Sequence, residues 1–380
     1  TQAGTFGALS AGSLAITGTS GNNDITFNGP GTSNVATSVS VTGAGAIDVN
    51  AKITAGTTVV MTASDNITID AAIDPTTVTL TSDDDVLVNA PVSATTLITV
   101  QAGQDGVGSV TVDGTAPETG SLTTTGAAPN SDIDITAGAS NGGIALGGNV
   151  TAGDRLTLTS NATFANGGGV NQTSGTVSAG NLQLTGTSGA FALTQPANNF
   201  GTVAAQTDGG SVNLTDTNSI IVGTVVTSGI DTGSTGNGGA VTINATNGTI
   251  TVNQAINTST GTGGGVSISG SVVVNAALTA GAGTITLNGT LNGAFDLDIN
   301  APITSDLTIN LTAPRDILVG ATVQTTGAGA DIILTADSET TPDGVGGVRI
   351  EAAGQLVSKD AVTLTGSDLF DTTGLIGTPN

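Results

Sequence analysis

The sequence predicts an all-β fold in which short strands wind into a β-solenoid of about fourteen coils. Three observations carry this prediction. Two consecutive units of nineteen residues, 59–77 and 78–96, agree position by position. Apolar and polar residues alternate with the period of two that is typical of strands. Thr, Val, Ile, Gly and Asn, which form helices poorly, are abundant, and no stretch sustains the helical spacing of apolar residues.

Each nineteen-residue unit divides into three alternating runs separated by polar corners, and a turn that carries Asp follows the first run. Asp and Asn are typical of turns because their side chains bond to nearby backbone groups. Three short strands and three corners therefore predict one coil. The runs span 59–62, 67–71 and 73–77 in the first unit, and 78–81, 86–90 and 92–96 in the second.

The first run recurs along the chain as apolar–x–apolar–Thr or a near variant. A repeat spacing of about 19 to 30 residues is typical of one structural unit per repeat. The larger gap from about 97 to 132 predicts an extra, less regular coil or a protruding loop. The copies are 14–17, 39–42, 59–62, 78–81, 133–136, 156–159, 182–185, 212–215, 241–244, 266–269, 285–288, 307–310, 332–335 and 362–365.

The second run ends in Asn or Asp, usually followed by Ala. Asn and Asp tolerate the left-handed backbone conformation, which suits them to a corner. Stacked on successive coils, such side chains can bond to one another, as in the ladders of stacked amides. We therefore predict a structural ladder at this corner, formed by Asn50, Asp70, Asn89, Asn253, Asn275 and Asn300.

Energetics explain why such coils come in arrays. A lone coil buries about six apolar side chains, worth about 1.5–3 kcal/mol each, whereas ordering its residues costs about 1.5 kcal/mol per residue. Stacking supplies the difference, so we expect one solenoid over residues 1–380. Longer stretches at 117–130, 229–239 and 339–347 are expected to protrude as loops. The terminal segments, 1–13 and 371–380, are expected to cap the ends or contact another subunit.

The charge balance excludes several partners. The chain has 29 acidic and five basic residues, a formal net charge of −24. Nucleic-acid binding needs clustered Lys and Arg to replace counterions, and an anionic membrane surface would repel the chain. No apolar run has the roughly eighteen residues of a membrane helix, so we expect no membrane insertion. Cysteine is absent, so no disulfide is possible.

The paired pattern V-x-L-T-A-x-D-x-I-x-I-D-A-x-I, carried by 59–73 and echoed over most of 14–370, resembles the repeats of filamentous-haemagglutinin-like bacterial exoproteins. The resemblance implies a right-handed parallel β-helix and a secreted, extracellular or cell-surface location in bacteria. The chain departs from that family because it lacks the Asn-Pro-Asn type motif of the secretion domain. The secretion route is therefore left open.

The residue inventory predicts no catalytic and no cofactor-binding residue. His and Cys are absent, which removes thiol nucleophiles, Ser-His triads and the usual zinc sites. Trp and Tyr, the usual platforms for sugar rings, are also absent. The repeat makes Asp65 and Asp84 neighbours on adjacent coils, the one arrangement that a polysaccharide-active hydrolase could use. We expect no enzymatic activity.

The densest acidic spot is Asp83, Asp84 and Asp85. Several oxygens at one turn are what calcium prefers, so these residues form a candidate calcium site. The competing interpretation, which we favour, is a solvated corner, since no EF-hand or nonapeptide calcium motif is present.

The sequence thus favours a structural role: a subunit of a surface fibre, filament or biofilm matrix, assembled head to tail from copies of itself. The alternative is an adhesin stalk or binding module whose corner loops recognise a glycan or a cell-surface protein. A β-helical polysaccharide-active enzyme is the third interpretation.

Overall fold

The computed structural model describes residues 4–18, 23–29, 31–115, 119–138, 140, 142–161, 168–233, 238–258, 263–289, 297–338, 346–370 and 375–377. Every regular element in these ranges is a β-strand, and all strand pairs that join neighbouring repeats are parallel. The predicted all-β class is therefore confirmed, with a parallel, solenoid-like repeat. The chain divides into two compact units, Thr1–Gly189 and Ala190–Asn380.

The first unit contains the strands β1 to β22. They are β1 Gly4–Phe6, β2 Ser10–Ala11, β3 Leu14–Thr17, β4 Ile25–Phe27, β5 Ser33–Val35, β6 Ser38–Ala44, β7 Ile47–Val49, β8 Ile53–Ala55, β9 Thr58–Ala63, β10 Ile67–Ile69, β11 Ile73–Asp74, β12 Thr77–Ser82, β13 Val86–Val88, β14 Pro91–Ala94, β15 Leu97–Gln101, β16 Val110–Val112, β17 Ser121–Thr124, β18 Asp132–Ala137, β19 Gly143–Leu146, β20 Asn149–Ser160, β21 Gly169–Gln172 and β22 Val177–Thr187.

From β1 to β17, each strand pairs with the third strand after it, as a three-strand repeat requires. From β18 to β20 the partner is the second strand after it, because long strands such as β20 combine two strands of a coil. β9 pairs with β12 so that Val59 lies beside Val78, and β10 pairs with β13 so that Ile67 lies beside Val86. The position-by-position agreement of 59–77 with 78–96 is thus the register of the parallel sheet.

The interior of the first unit is mainly aliphatic. Along β9 and β12 burial alternates strictly, because successive side chains of a strand point to opposite faces. Met61, Ile69 and Leu80 have no solvent exposure, and nearly all core positions hold Val, Ile, Leu or Ala. Phe27 is the large ring among these core residues and is 1% exposed, so the interior accommodates an occasional ring among small aliphatic side chains.

The second unit contains the strands β23 to β43. They are β23 Ala190–Leu193, β24 Asn199–Asp208, β25 Val212–Asp216, β26 Ile220–Val222, β27 Ile230–Asp231, β28 Val241–Val252, β29 Ile256–Asn257, β30 Val266–Val274, β31 Leu278–Ala280, β32 Ile285–Asn288, β33 Leu297–Ile299, β34 Ile303–Ser305, β35 Ile309–Thr312, β36 Ile317–Val319, β37 Thr322–Thr325, β38 Ile332–Thr335, β39 Gly347–Ile350, β40 Gln355–Val357, β41 Val362–Thr365, β42 Asp368–Phe370 and β43 Leu375–Gly377.

One predicted repeat copy in the second unit is wrong by two residues. The sequence placed a copy at 307–310, but β35 begins at Ile309, which pairs with Ile285 of β32. Leu307 is 43% exposed and lies outside the strand. The motif Leu307-Thr308-Ile309-Asn310 overlaps the true one, Ile309-Asn310-Leu311-Thr312, and alternation alone cannot separate two frames that differ by a full period.

The long gap in the first unit is one enlarged coil. Ile98 of β15 pairs directly with Ile133 of β18, and β16 and β17 lie between them in sequence. The segment 117–130 is therefore only partly a loop, because Ser121–Thr124 is a strand that pairs with β14. The strand Leu97–Gln101 was missed because Gln101 replaces the final Thr of the motif.

The other predicted loops and the ends are described only in part. Ile230–Asp231, inside the predicted loop 229–239, is a strand that pairs with β29. The positions 339–345, and most of 371–380, lie outside the described residues. Within 1–13, the strands β1 and β2 pair with β4 and β5.

Candidate functional site

The corner after the second strand of the repeat carries side-chain ladders. In the first unit, the side-chain amide of Asn89 donates to a carboxylate oxygen of Asp70 over 2.7 Å. In the second unit, Asn275 donates to Asn253 over 3.0 Å, and Asn300 donates to Asn275 over 3.2 Å. Each bond joins the same position of consecutive coils.

The backbone fixes where these side chains lie. The backbone N–H of Asp70 donates to the carbonyl of Val49, and that of Asn89 donates to Ile69, both over 2.9 Å. Asn50 occupies the equivalent place one coil earlier, where its N–H donates to Phe27 over 2.8 Å. The parallel hydrogen bonds therefore continue one residue beyond each strand and align the corner side chains.

The side-chain ladder of the first unit does not continue beyond Asn89. The next residue at this corner is Asp113, whose N–H donates to Val88 over 2.9 Å. Its carboxylate accepts bonds from the N–H and the hydroxyl of Thr115, both over 2.9 Å. The side-chain oxygen of Asn89 is buried without a hydrogen-bond partner. An acid at position 113 cannot donate to that oxygen unless it is protonated.

The acidic turn at 83–85 is held by a dense set of hydrogen bonds. The N–H of Asp84 donates to the hydroxyl of Ser82 over 3.1 Å, and the N–H of Asp85 donates to the side chain of Asn66 over 3.0 Å. A carboxylate oxygen of Asp85 accepts the N–H of Ser109 over 2.7 Å. These bonds make Asp85 part of the corner that joins three coils.

Like charges stack at the same turn. Burial raises the pKa of Asp84, and the neighbouring carboxyls of Asp65 and Asp105, on adjacent coils, raise it further. The register of β9 and β12, with Ser82 beside Ala63, brings Asp65 and Asp84 to the same turn of adjacent coils, as the repeat predicts. A second stack involves Asp48, whose pKa is raised by burial and then by Asp70 and Asp24.

The positions of the acidic side chains bear on the predicted calcium site. Across the described ranges, no three acidic side chains converge in a way that could hold one ion. Asp83, Asp84 and Asp85 are consecutive residues of one turn. The calcium site thus stays a prediction, and the solvated corner remains the interpretation we favour.

A second ladder, which the sequence did not reveal, runs along the corner before the first strand of three consecutive coils in the first unit. The hydroxyl of Thr57 donates to the carbonyl of Thr37 over 2.8 Å. Those of Thr76 and Thr96 donate to Gly56 and Thr76 over 3.1 and 3.2 Å. Thr is so frequent in this chain that its corner positions do not stand out in the sequence.

Buried hydroxyls satisfy turns in the second unit. Thr207 and Thr232, both fully buried, donate to the carbonyls of Gly210 and Gly239 over 2.6 Å. Ser305 donates to Gly283 over 2.7 Å and accepts from the N–H of Leu307. The alternation of the sequence predicts that these positions face the core. They are polar because their hydroxyls bond to backbone carbonyls at turns, which only the structure shows.

Among the described residues, one carboxylate is fully buried, that of Asp216 at the end of β25. It accepts the backbone N–H of Phe200 and, over 2.5 Å, that of Asn218. Burial raises the pKa of Asp216, and these two hydrogen bonds oppose the shift. Sequence analysis did not single out this residue, because Asp is common at the turns of this chain.

Ion pairs involve three of the few cations. Arg155 lies 2.8 Å from Asp132 and 3.8 Å from Asp134. Burial raises the pKa of Asp132, and Arg155 opposes that rise. Arg315 and Arg349 form longer pairs with acids next to them in sequence, at 4.0 and 3.9 Å. Such exposed, long pairs contribute little to stability.

The grooves of the first unit are shallow. One of about 450 Å³ lies beside the ladder and is lined by Asn50, Asp70, Ala71, Ala72, Ala90, Pro91 and Thr119. Another of about 420 Å³ is lined by small residues of β2, β5 and β8. Neither holds an aromatic side chain or a convergent set of polar groups such as a ligand pocket usually has.

Comparison with protein-family models, with curated proteins and with solved structures finds no match to this chain. The likeness to filamentous-haemagglutinin-like repeats therefore remains a hypothesis that rests on the repeat motif. In the described part of the chain, no helix has the length and apolarity needed to cross a membrane.

Proposed function

We propose that this chain is a structural protein, the subunit of an extracellular or cell-surface fibre of bacteria. In this proposal the repeat is a right-handed parallel β-helix of about fourteen coils, and copies associate head to tail. The proposal assigns no enzymatic activity and no cofactor. Mechanical and chemical persistence would be the function, supplied by the coils themselves.

The observation that carries the proposal is the continuity of the stacking. Within the second unit, for example, consecutive coils are joined by backbone hydrogen bonds, by inward aliphatic side chains, and at one corner by the ladder Asn253–Asn275–Asn300. Stability in such an array is the sum of many nearest-neighbour contacts, so no single contact decides it. A chain that repeats one contact in this way is suited to bearing load.

Surface chemistry supports the same proposal. Outward positions of the strands are mostly Thr, Ser, Asn and Asp, and the net charge is −24. Charge of one sign keeps exposed β-structure from sticking to other chains. Continuous parallel strands need such protection because unpaired edges promote aggregation.

The test is electron microscopy of the purified chain, with calcium and with a chelator. The proposal predicts filaments with an axial repeat near one subunit length, about fourteen coils at about 4.8 Å each. Filaments that dissolve in chelator would assign calcium a role at the contact. Short single rods in both conditions would overturn the head-to-tail assembly.

The second candidate is an adhesin stalk or binding module that recognises a glycan or a cell-surface protein through its corner loops. The exposed stretch 127–130, which follows β17 in the enlarged coil, favours it. Replacing 127–130 by a short Gly-Ser turn discriminates the candidates. Loss of cell adhesion with intact assembly would favour the binding module, whereas unchanged adhesion would favour the structural role.

A further inference from the structure

Charge is distributed very unevenly within the second unit. Between residues 190 and 295 the ionisable side chains are Asp208, Asp216 and Asp231, and Asp216 is buried. From 232 to 295 there is no Asp, Glu, Lys or Arg at all. The segment 296–371 holds the unit's other acids and all three of its cations. A strongly anionic chain thus contains a long segment with almost no charge.

The structure gathers uncharged side chains of this segment into one face. The outward residues of four neighbouring strands lie in register: Thr202 beside Ile221, Ile221 beside Thr251, and Thr251 beside Val273. The next residue in this row is Asp298, which ends the uncharged stretch. All four residues are β-branched, so they present methyl groups on one face of the sheet.

A compact finger, residues 223–229, follows the strand of Ile221. It is closed by a hydrogen bond from the N–H of Gly229 to the carbonyl of Gly223 over 2.8 Å. Thr224 and Ser228 pair across it, with their hydroxyls 3.0 Å apart. Val226 at its tip is 65% exposed. The row Thr202, Ile221, Thr251 and Val273, together with this finger, is called the neutral face below.

Exposed large apolar side chains concentrate on the neutral face. Among the described residues, those at 40% exposure or more are Val107, Ile221, Val226 and Leu307, and two of the four belong to this face. Because hydrogen bonds hold the finger in one conformation, little ordering entropy would be lost when Val226 becomes buried.

We propose that the neutral face is a self-association surface, which packs side by side against the same face of a second copy of this chain. The charge distribution selects this occupant. Two molecules of net charge −24 repel each other over most of their surfaces, and the repulsion is least where neither carries charge. The same patch on both partners gives a two-fold contact.

The size of the face sets the strength of the contact. A square patch of the roughly 800 Å² per partner that a typical stable interface buries has sides of about 28 Å. Four strands at about 4.8 Å spacing span only about 20 Å. Side-by-side association is therefore weak for a single pair of chains. It increases with salt, because salt screens the repulsion of the acidic segments and leaves apolar contact intact. A contact made by a cationic partner would weaken with salt instead.

The experiment is sedimentation of the full chain at about 0.1 M and about 1 M sodium chloride, where the screening lengths are about 10 and about 3 Å. The variant is Val226→Asp, and the matched control is Val107→Asp, the same substitution at an exposed valine of the first unit. Both sites are at the surface, so circular dichroism of both variants should match the wild type. Neither substitution lies on a terminal strand, so head-to-tail contacts should be equal in the two.

We expect self-association of the wild type to rise with salt, and Val226→Asp to weaken it by about tenfold, because a charge buried in an apolar contact costs affinity. Val107→Asp should associate like the wild type. A wild type that shows no association at either salt concentration would overturn the proposal. So would equal weakening by both variants, since the added charge and not its position would then matter.

Discussion

The side-chain amide of Asn89 donates to the carboxylate of Asp70 over 2.7 Å, and the two residues hold the same position in consecutive coils. Their strands pair in register, with Ile69 beside Val88. The bond therefore joins two stacked coils outside the core. At this corner, water competes for the same amide and carboxylate groups. An amide can both donate and accept, so Asn can continue such a ladder where Asp cannot.

Asn89→Asp tests this corner. The substitution removes the donor and sets a second carboxylate beside Asp70, so we expect a loss of about 1–3 kcal/mol in the free energy of unfolding at neutral pH. Like charges raise the pKa of such a pair. The loss should therefore shrink as the pH falls, because protonation restores a donor. Denaturant unfolding at pH about 7 and about 4 measures this, with Asn171→Asp, an exposed strand residue, as the control.

Asp84 tests the acidic turn. Its pKa is raised by burial and by Asp65 and Asp105, so the charged form is unfavourable in the folded chain. The stability that this group contributes is present at low pH and is lost as the pH rises through its folded pKa. Asp84→Asn should therefore raise the melting temperature at neutral pH, whereas Asp74→Asn should not.

The melting temperature of the wild type should be the same in calcium and in chelator, and a clear rise with calcium would establish the ion site.

Asp216 gives the second unit its own pH dependence. Burial raises its pKa above the unfolded value, so its contribution favours folding most below the unfolded pKa and falls as the pH rises through the folded pKa. Asp216→Asn keeps one acceptor and should flatten the pH dependence above the unfolded pKa of about 4.

Asp216→Ala is the companion variant. It leaves the N–H groups of Phe200 and Asn218 without their acceptor, which should cost about 1–3 kcal/mol each. Thermal melts across pH compare the two variants. Equal stability of Asp216→Ala and wild type at all pH values would show that the buried carboxylate does not hold β24.

Substitutions at two adjacent residues of β30 test which side chains face the core and which face outward. Val274 has no solvent exposure, whereas Val273 points outward. Val274→Asp should abolish cooperative folding, because an unpaired charge cannot be buried in an aliphatic core. Val273→Asp should fold with nearly wild-type stability. If both variants melt like the wild type, the assignment of the core is wrong.

The sequence predicted the fold well where the repeat is short and regular. In 59–96 the alternation, the corner Asp or Asn and the spacing all agree, so one register satisfies every position. Around Leu307 two overlapping motifs compete, and only the packing of neighbouring coils distinguishes them. Leu97–Gln101 escaped notice because register, and not the terminal Thr, defines a strand of the stack.

The polar contacts were less accessible to prediction. The ladder residues Asn253, Asn275 and Asn300 stand out because Asn follows an apolar run each time. Thr57, Thr76 and Asp216 do not stand out, because their roles depend on which backbone group of the neighbouring coil faces them. That information lies in the geometry of the corner. A coil that is one residue longer or shorter has a different corner geometry.

The most direct test of parallel, in-register stacking uses the absence of cysteine from the chain. In the structure Thr286 lies beside Asn310 of the next coil, at the strand spacing of about 4.8 Å, within the Cα separation of about 4.4–6.8 Å that a disulfide requires. The double variant Thr286→Cys, Asn310→Cys should form an intramolecular disulfide on mild oxidation, and Thr286→Cys, Thr308→Cys should not. Cross-linking of the second pair alone would contradict the register, and cross-linking of neither would contradict the stacked coils on which the account depends.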